Sequence, residues 1–265
     1  MLRLIIGGAG AGKTSAVIEE ICNAVHHCEG QRFLIVPEQY SHEAERELSL
    51  RCGDTLSLYA EVFSFTGLAR RMMSLYGGGA GTALDKGGRL LCMALALKAA
   101  APGLRVYTGA ERKPELQDML LHAVDELKTA CVTSEALTRA SAEMNDALGD
   151  KLSDLALVLE SYDAVVSRGR ADPADRLTVL KSQIPGSILG SGAHVYIDGF
   201  IDFTKQELEV ILAMLSAGAE LTVCLTLDGI DTGSEIFELS RRAARTLIRR
   251  AKELGTSVEV QTLSA

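Results

Sequence analysis

No tryptophan occurs in these 265 residues, and aromatic side chains make up only 5% of them. An exposed platform for stacking bases is therefore not evident. Positive charge is also short: 27 lysines and arginines face 35 acidic residues, a net charge of −8. A free-standing nucleic-acid binder is usually basic. Any DNA contact must come from local patches, be weak, or depend on a partner. The six cysteines (Cys22, Cys28, Cys52, Cys92, Cys131, Cys224) are scattered and form no C-x-x-C pair. Thiols packed as small apolar groups in a reducing, cytoplasmic setting fit this pattern. His26-His27-Cys28 has no distant ligand pair, so it reads as a helix end rather than a zinc site. No apolar run reaches the length of a membrane span. Met1-Leu2-Arg3 leads directly into a strand, unlike a secretory signal. There is no G-x-S-x-G nucleophile elbow.

Against these absences stands one complete motif. Gly7-Gly8-Ala9-Gly10-Ala11-Gly12-Lys13-Thr14 matches G-x-x-x-x-G-K-[ST] without substitution. A β-like run, Leu4-Ile5-Ile6, delivers it. A helix over 15–27 leaves it, with Val17, Ile18, Ile21, Ala24 and Val25 on one face. Glycines let several backbone N–H groups turn toward a phosphate, and the helix N-terminus adds its positive dipole end. In this pattern residues 7–14 and Ser15 cradle the phosphates of a nucleoside triphosphate. Lys13 reaches the β- and γ-phosphates, and the Thr14 hydroxyl ligates Mg²⁺.

Residues 1–76 alternate strand and helix. The pattern places strands at 32–36 and 56–63 and helices at 42–51 and 66–76, the βαβαβ order of a parallel sheet. Gly77-Gly78-Gly79-Ala80-Gly81 is a flexible joint. From about Asp85 to Gln183 the strong signals are helical, with helices expected over 90–97, 116–127, 134–148 and 152–166. Asp172-Pro173 caps a fifth. The α/β pattern then returns: a strand at 194–197, a Thr204–Glu207 capping box opening a helix to Ser216, a strand at 221–225, a helix at 235–254 and a last strand at 257–262. The expected class is α/β, a P-loop (RecA-like) parallel sheet with helices on both faces. Residues 1–80 and 190–265 form it, and an all-helical insertion at 85–188 interrupts it. The chain stops just after a strand, which suggests a piece of a longer polypeptide.

A phosphate loop needs an acidic partner for Mg²⁺ at the end of an apolar strand. Asp198, after Val195-Tyr196-Ile197, is the candidate; a strand-end turn is its plain structural reading. Many such enzymes place Glu directly after this Asp, to position or activate water. Here that place holds Gly199, so nucleotide binding is expected more strongly than turnover, and no catalytic residue is assigned.

Several segments together carry a resemblance. Asp198-Gly199-Phe200-Ile201-Asp202 looks like a decayed copy of the D-E-F-Q-D motif of UvrD-type superfamily 1 helicases. Leu34-Ile35-Val36-Pro37-Glu38-Gln39-Tyr40 with Glu43 to Leu48 looks like the V-P-E-Q segment of the B subunits of bacterial AddAB helicase–nucleases. Val62 to Arg71 is similar to that family's version of T-F-H-S-F. The resemblance implies ATP and Mg²⁺ as cofactors, with Asp198 facing the metal. It implies contact of Ser64, Phe65 and Thr66 with single-stranded DNA; ordinary strand-to-helix packing is the other reading of those three. It also implies an AddA-type helicase–nuclease partner in double-strand break repair and recombination. The family's nuclease region, with its iron–sulfur cluster, is C-terminal and not visible in this sequence. The chain departs from active helicases in three ways: no glutamine precedes the loop, no second RecA-like domain supplies arginines, and Gly199 replaces Glu. The alternatives are a P-loop small-molecule kinase or free-standing NTPase with a helical lid carrying Arg105, Arg112, Arg139, Arg168 and Arg170, and a scaffold with a vestigial loop.

Overall fold

A computed structural model of the chain describes residues 1–77, 83–144, 146–169 and 171–264. Residues 78–81 of the glycine joint, and Arg170, lie outside the described residues. The chain divides into two compact units, 1–76 with 177–265, and 77–176.

The first unit is built on six parallel strands in the order β3-β2-β4-β5-β1-β6. They are β1 (Leu2–Gly7), β2 (Arg32–Ile35), β3 (Ala60–Phe63), β4 (His194–Ile197), β5 (Glu220–Thr226) and β6 (Val258–Leu263). The helices α1 (Lys13–His26), α2 (Ser41–Cys52) and the single turn α3 (Leu56–Tyr59) cover one face. The other face carries α4 (Phe65–Tyr76), α9 (Arg176–Gln183), α10 (Lys205–Ser216) and α11 (Glu238–Glu253). Strand alternation sorts the two cores. Ile5, Leu34, Val36, Tyr196 and Cys224 pack with Val17, Ile18, Ile21 and Leu48 on the first face. Leu4, Ile6, Phe33, Ile35, Val195, Ile197 and Val223 pack with Leu68, Met72, Ile211 and Leu247 on the second. A sheet buried on both faces explains why its strands read as continuous apolar runs. The α/β class and the parallel sheet expected from the sequence are what the structure has.

The second unit is helical: α5 (Lys86–Ala100), α6 (Pro114–Thr129), α7 (Ser134–Ala142) and α8 (Ala147–Val166) around Met93, Leu97, Leu120, Val124, Leu159 and Tyr162. Side chains of Asp85, Thr133 and Asp146 cap α5, α7 and α8 by accepting from backbone amides two or three residues on. Asp154, 1% exposed, accepts from the amides of Arg105, Val106 and Tyr107 at 2.8–3.1 Å. The buried ammonium of Lys128 meets Asp163 and Asp175 at 2.8 Å and Asp172 at 3.3 Å, and Arg89 meets Asp172 at 2.9 Å.

Three expectations differ from the structure. The strand foreseen over 56–63 is a strand only from Ala60. β3 is an edge strand paired with just the four residues of β2, so a longer run has no partner. Leu56 instead starts a helical turn that buries it and leaves Leu58 69% exposed. The helix foreseen over 134–148 is two helices, because Asp146 turns its carboxylate onto the amides of Leu148 and Gly149 and starts a new one. Helix α9, which its sequence neighbours assign to the insertion, belongs to the sheet unit, where Leu180, Ile184 and Leu189 join its core.

Candidate functional site

The sheet's chain order reverses direction around β1 and β4, and their carboxyl ends hold the motif residues. Ligands of open parallel sheets bind in such a crevice. At Gly7 the chain leaves β1 pressed against β6: a Cβ there would sit 2.5 Å from the Leu263 carbonyl oxygen. Gly10 and Gly12 adopt φ of +79° and +84°, which L-residues rarely do, and Gly12 is the N-cap of α1.

Lys13 opens α1, and its side chain turns back across the loop. Nζ donates to the carbonyls of Gly7 (2.9 Å) and Gly8 (2.7 Å), and only 8% of the residue is exposed. Among the described residues no carboxylate pairs with it. A buried ammonium held only by neutral carbonyls is a strong site for an added anion. One residue on, the Thr14 hydroxyl donates to Asp198 Oδ2 at 2.7 Å. Asp198 stands just past β4, where its amide donates to the Ile35 carbonyl, and it is 8% exposed. The strand pairing thus carries the carboxylate to the hydroxyl across 184 residues of sequence. Two oxygens this close, a hydroxyl and a carboxyl oxygen, suit a hard divalent cation bound together with phosphate. A cleft of about 420 Å³ opens over them, lined by residues 9–15, by Asp198 to Ile201, and by Cys224 and Thr226. Burial beside Asp198 pushes the Cys224 thiol well above its ordinary range, so it stays protonated there. A neighbouring cleft of about 390 Å³ shares Thr14, Asp198 and Gly199 and runs between α1 and α2, past Tyr40 and Glu43. These residues fit a Mg²⁺–nucleoside triphosphate.

Gly199 has φ of +82°, and a Cβ on it would lie 3.2 Å from Pro37 Cδ. The position therefore favours glycine on backbone grounds as well as lacking a carboxylate. Asp202 faces Arg242 at 3.5 Å, and Glu207 closes the capping box on Thr204.

The segment Ser64-Phe65-Thr66 lies at the end of β3, beside the end of β2. Glu38, just past β2, accepts from the hydroxyls of Ser64 and Thr66, both at 2.6 Å, and Arg70 stands 3.7 Å away. The two hydroxyls, Ser64 first, hold the Glu38 carboxyl below the usual carboxylate range. Phe65 is buried in the sheet core, edge-on to Phe200 at 5.5 Å, so its ring offers no open face. Arg71 pairs with Glu61. In the sequence alone the V-P-E-Q and S-F-T segments stand apart. Only the sheet order shows that Glu38 joins them; the signal available in sequence is an acid and two hydroxyls, each shortly after a short strand. Of the insertion arginines, Arg105 pairs with Asp150 and Arg112 with Glu111.

Residues 4–265 match the family described as ADDB, N-terminal. The chain is 32% identical to the B subunit of the ATP-dependent helicase/deoxyribonuclease of Heliobacterium modesticaldum over 97% of its own length. It is 34% identical to the same subunit from Desulforudis audaxviator over 97%, and 33% identical to that from Desulforamulus reducens over 86%. It spans 22%, 23% and 20% of those three relatives.

Proposed function

The chain belongs to the ADDB N-terminal family, and from that premise we propose that it is the helicase-like, ATP-binding region of the B subunit of a bacterial helicase–nuclease acting in DNA double-strand break repair and recombination. The observation that supports this most is the meeting of Lys13, Thr14 and Asp198 in one cleft. In this reading the Lys13 ammonium exchanges two carbonyls for phosphate oxygens, and the loop amides of residues 9–15 complete the cradle. Thr14 and Asp198, already paired across the cleft, are the residues that would hold Mg²⁺, which would supply charge neutralisation at the phosphates. Nothing at Gly199 can take a proton from water, so the site binds nucleotide and turns it over weakly or not at all by itself. The helicase–nuclease activity then depends on an AddA-type partner, and this region contributes binding rather than hydrolysis. Ser64 and Thr66 remain the candidates for single-stranded DNA, with Glu38 releasing their hydroxyls on contact. The test is steady-state ATP turnover by the chain with and without single-stranded DNA. Turnover at or slightly above the no-enzyme background, unchanged by DNA, is expected; DNA-stimulated turnover by the chain alone would overturn the assignment of a binding site and favour a free-standing NTPase.

A further inference from the structure

Helix α11 concentrates positive charge that the nucleotide site does not use. Six of its 16 residues are basic and two acidic, a local net charge of +4 in a chain whose total is −8. Its inner face, Ala243, Ala244, Leu247 and Ala251, is buried in the sheet core. Arg242, Arg245, Arg249 and Lys252 are all exposed. Their spacing of three, four and three residues sets them in one stripe opposite the buried face.

The two other cations of the helix are neutralised. Arg241 is buried against Asp228 (3.0 Å) and Glu238 (2.7 Å), and Arg250 lies 3.4 Å from Glu253. Among the described residues, Arg242 alone of the stripe meets a carboxylate, Asp202 at 3.5 Å, in an exposed pair of the kind that contributes little. Arg245 donates to the carbonyls of Ile230 (2.8 Å) and Asp231 (2.5 Å). Those neutral acceptors hold its guanidinium in place without cancelling the charge. Among the described residues, Arg249 and Lys252 pair with no carboxylate.

We infer that the outward stripe of α11 is a docking surface for the phosphate backbone of duplex DNA, separate from the Ser64–Thr66 segment. At 1.5 Å per residue the stripe runs about 15 Å, which spans roughly four phosphates of one strand of a B-form duplex. Four cations over that length, about 5 Å apart on average, face a comparable number of phosphates spaced about 3.4 Å along the duplex axis, and contacts of this class position a duplex without reading its sequence. An acidic chain that binds DNA needs such a local patch, because its overall field repels phosphate. The inference rests on the family reading only in choosing a nucleic acid over an acidic protein.

The test is fluorescence anisotropy of a short fluorescein-labelled duplex titrated with the chain at several salt concentrations. Four phosphate contacts give a slope of log K against log salt of about −3 to −4. The triple variant Arg242→Glu/Arg249→Glu/Lys252→Glu keeps the structural Arg245. It should lower affinity by about tenfold or more at low salt and flatten the slope toward about −1, the value for one remaining contact. A control with the same change in net charge, Arg46→Glu/Arg51→Glu/Lys98→Glu, should keep the starting slope. Equal losses in the two triples, or no duplex binding by the unaltered chain at low salt, would overturn the inference. Tighter binding of poly-glutamate than of duplex would overturn it in favour of an acidic protein partner. Loss of stripe dependence with Mg²⁺-ATP binding intact would leave the nucleotide reading standing, and the reverse pattern would leave the stripe standing.

Discussion

One methyl group at residue 199 should destabilise the sheet unit measurably. Gly199 holds φ of +82° directly after the Asp198 that faces Thr14. An L-residue in the left-handed region costs about 1–2 kcal/mol. The added Cβ would also sit 3.2 Å from Pro37 Cδ, and a proline ring following β2 has little freedom to move away. Gly199→Ala should therefore fall near the upper end of that range. For a unit of this size 1 kcal/mol corresponds to roughly 2–4 °C, so the melting temperature should drop by about 3–8 °C. Differential scanning calorimetry on the two proteins measures it. Gly199→Glu meets the same backbone cost while placing a carboxylate beside the proposed metal site. It should melt lower too and should not acquire ATP turnover, because the backbone strain and the crowding against Pro37 fall on the residue next to Asp198 and oppose a productive placement of the new carboxylate. An alanine variant that melts within about 1 °C of the parent, a shift too small for the cost of a left-handed L-residue, or a glutamate variant that hydrolyses ATP, would refute the reasoning.

Other perturbations have outcomes of definite sign. Asp154→Ala removes the acceptor of three backbone amides in the helical unit and should cost about 3 kcal/mol or more, read as a lower urea midpoint at unchanged m-value. Thr204→Ala opens the capping box of α10 and should cost about 1 kcal/mol in the same assay. Glu38 has a lowered folded-state pKa, so its contribution is present above the unfolded carboxylate pKa and is lost as pH falls through the folded one. Its side chain is 64% exposed, so solvent screening keeps that contribution small. An NMR titration should show the Glu38 carboxyl protonating below the usual glutamate range, and Ser64→Ala with Thr66→Val should return it upward; an unmoved value in the double variant would contradict the hydroxyl origin of the shift.

How much of the fold and site is legible in the sequence follows from the range of the interactions involved. Strand β4 and the loop after β1 are legible because their signals are local: a buried apolar run, then Asp or a glycine motif. The Thr204–Glu207 box is legible for the same reason, since both partners lie within one turn. Strand β3 reads too long because Leu56 and Leu58 alternate as strand residues do, while its true length depends on β2, a four-residue partner more than twenty positions upstream. Helix α9 groups with its sequence neighbours, although Leu180 packs with the sheet core. At the site, Gly199 is legible as a missing carboxylate but not as a left-handed residue against Pro37. The Glu38 bridge to Ser64 and Thr66 depends on two strands lying side by side, and the burial of Phe65 depends on Phe200, 135 positions further along the sequence.

The most direct measurement is isothermal titration calorimetry of ATP into the chain and into Lys13→Ala, each with and without Mg²⁺. Binding that requires Mg²⁺ and disappears in Lys13→Ala is the expected result, since the proposed reading assigns phosphate to the Lys13 ammonium and metal to the Thr14–Asp198 pair. No heat of binding in the unaltered chain, or binding that Lys13→Ala leaves intact, would contradict a nucleotide site at this loop.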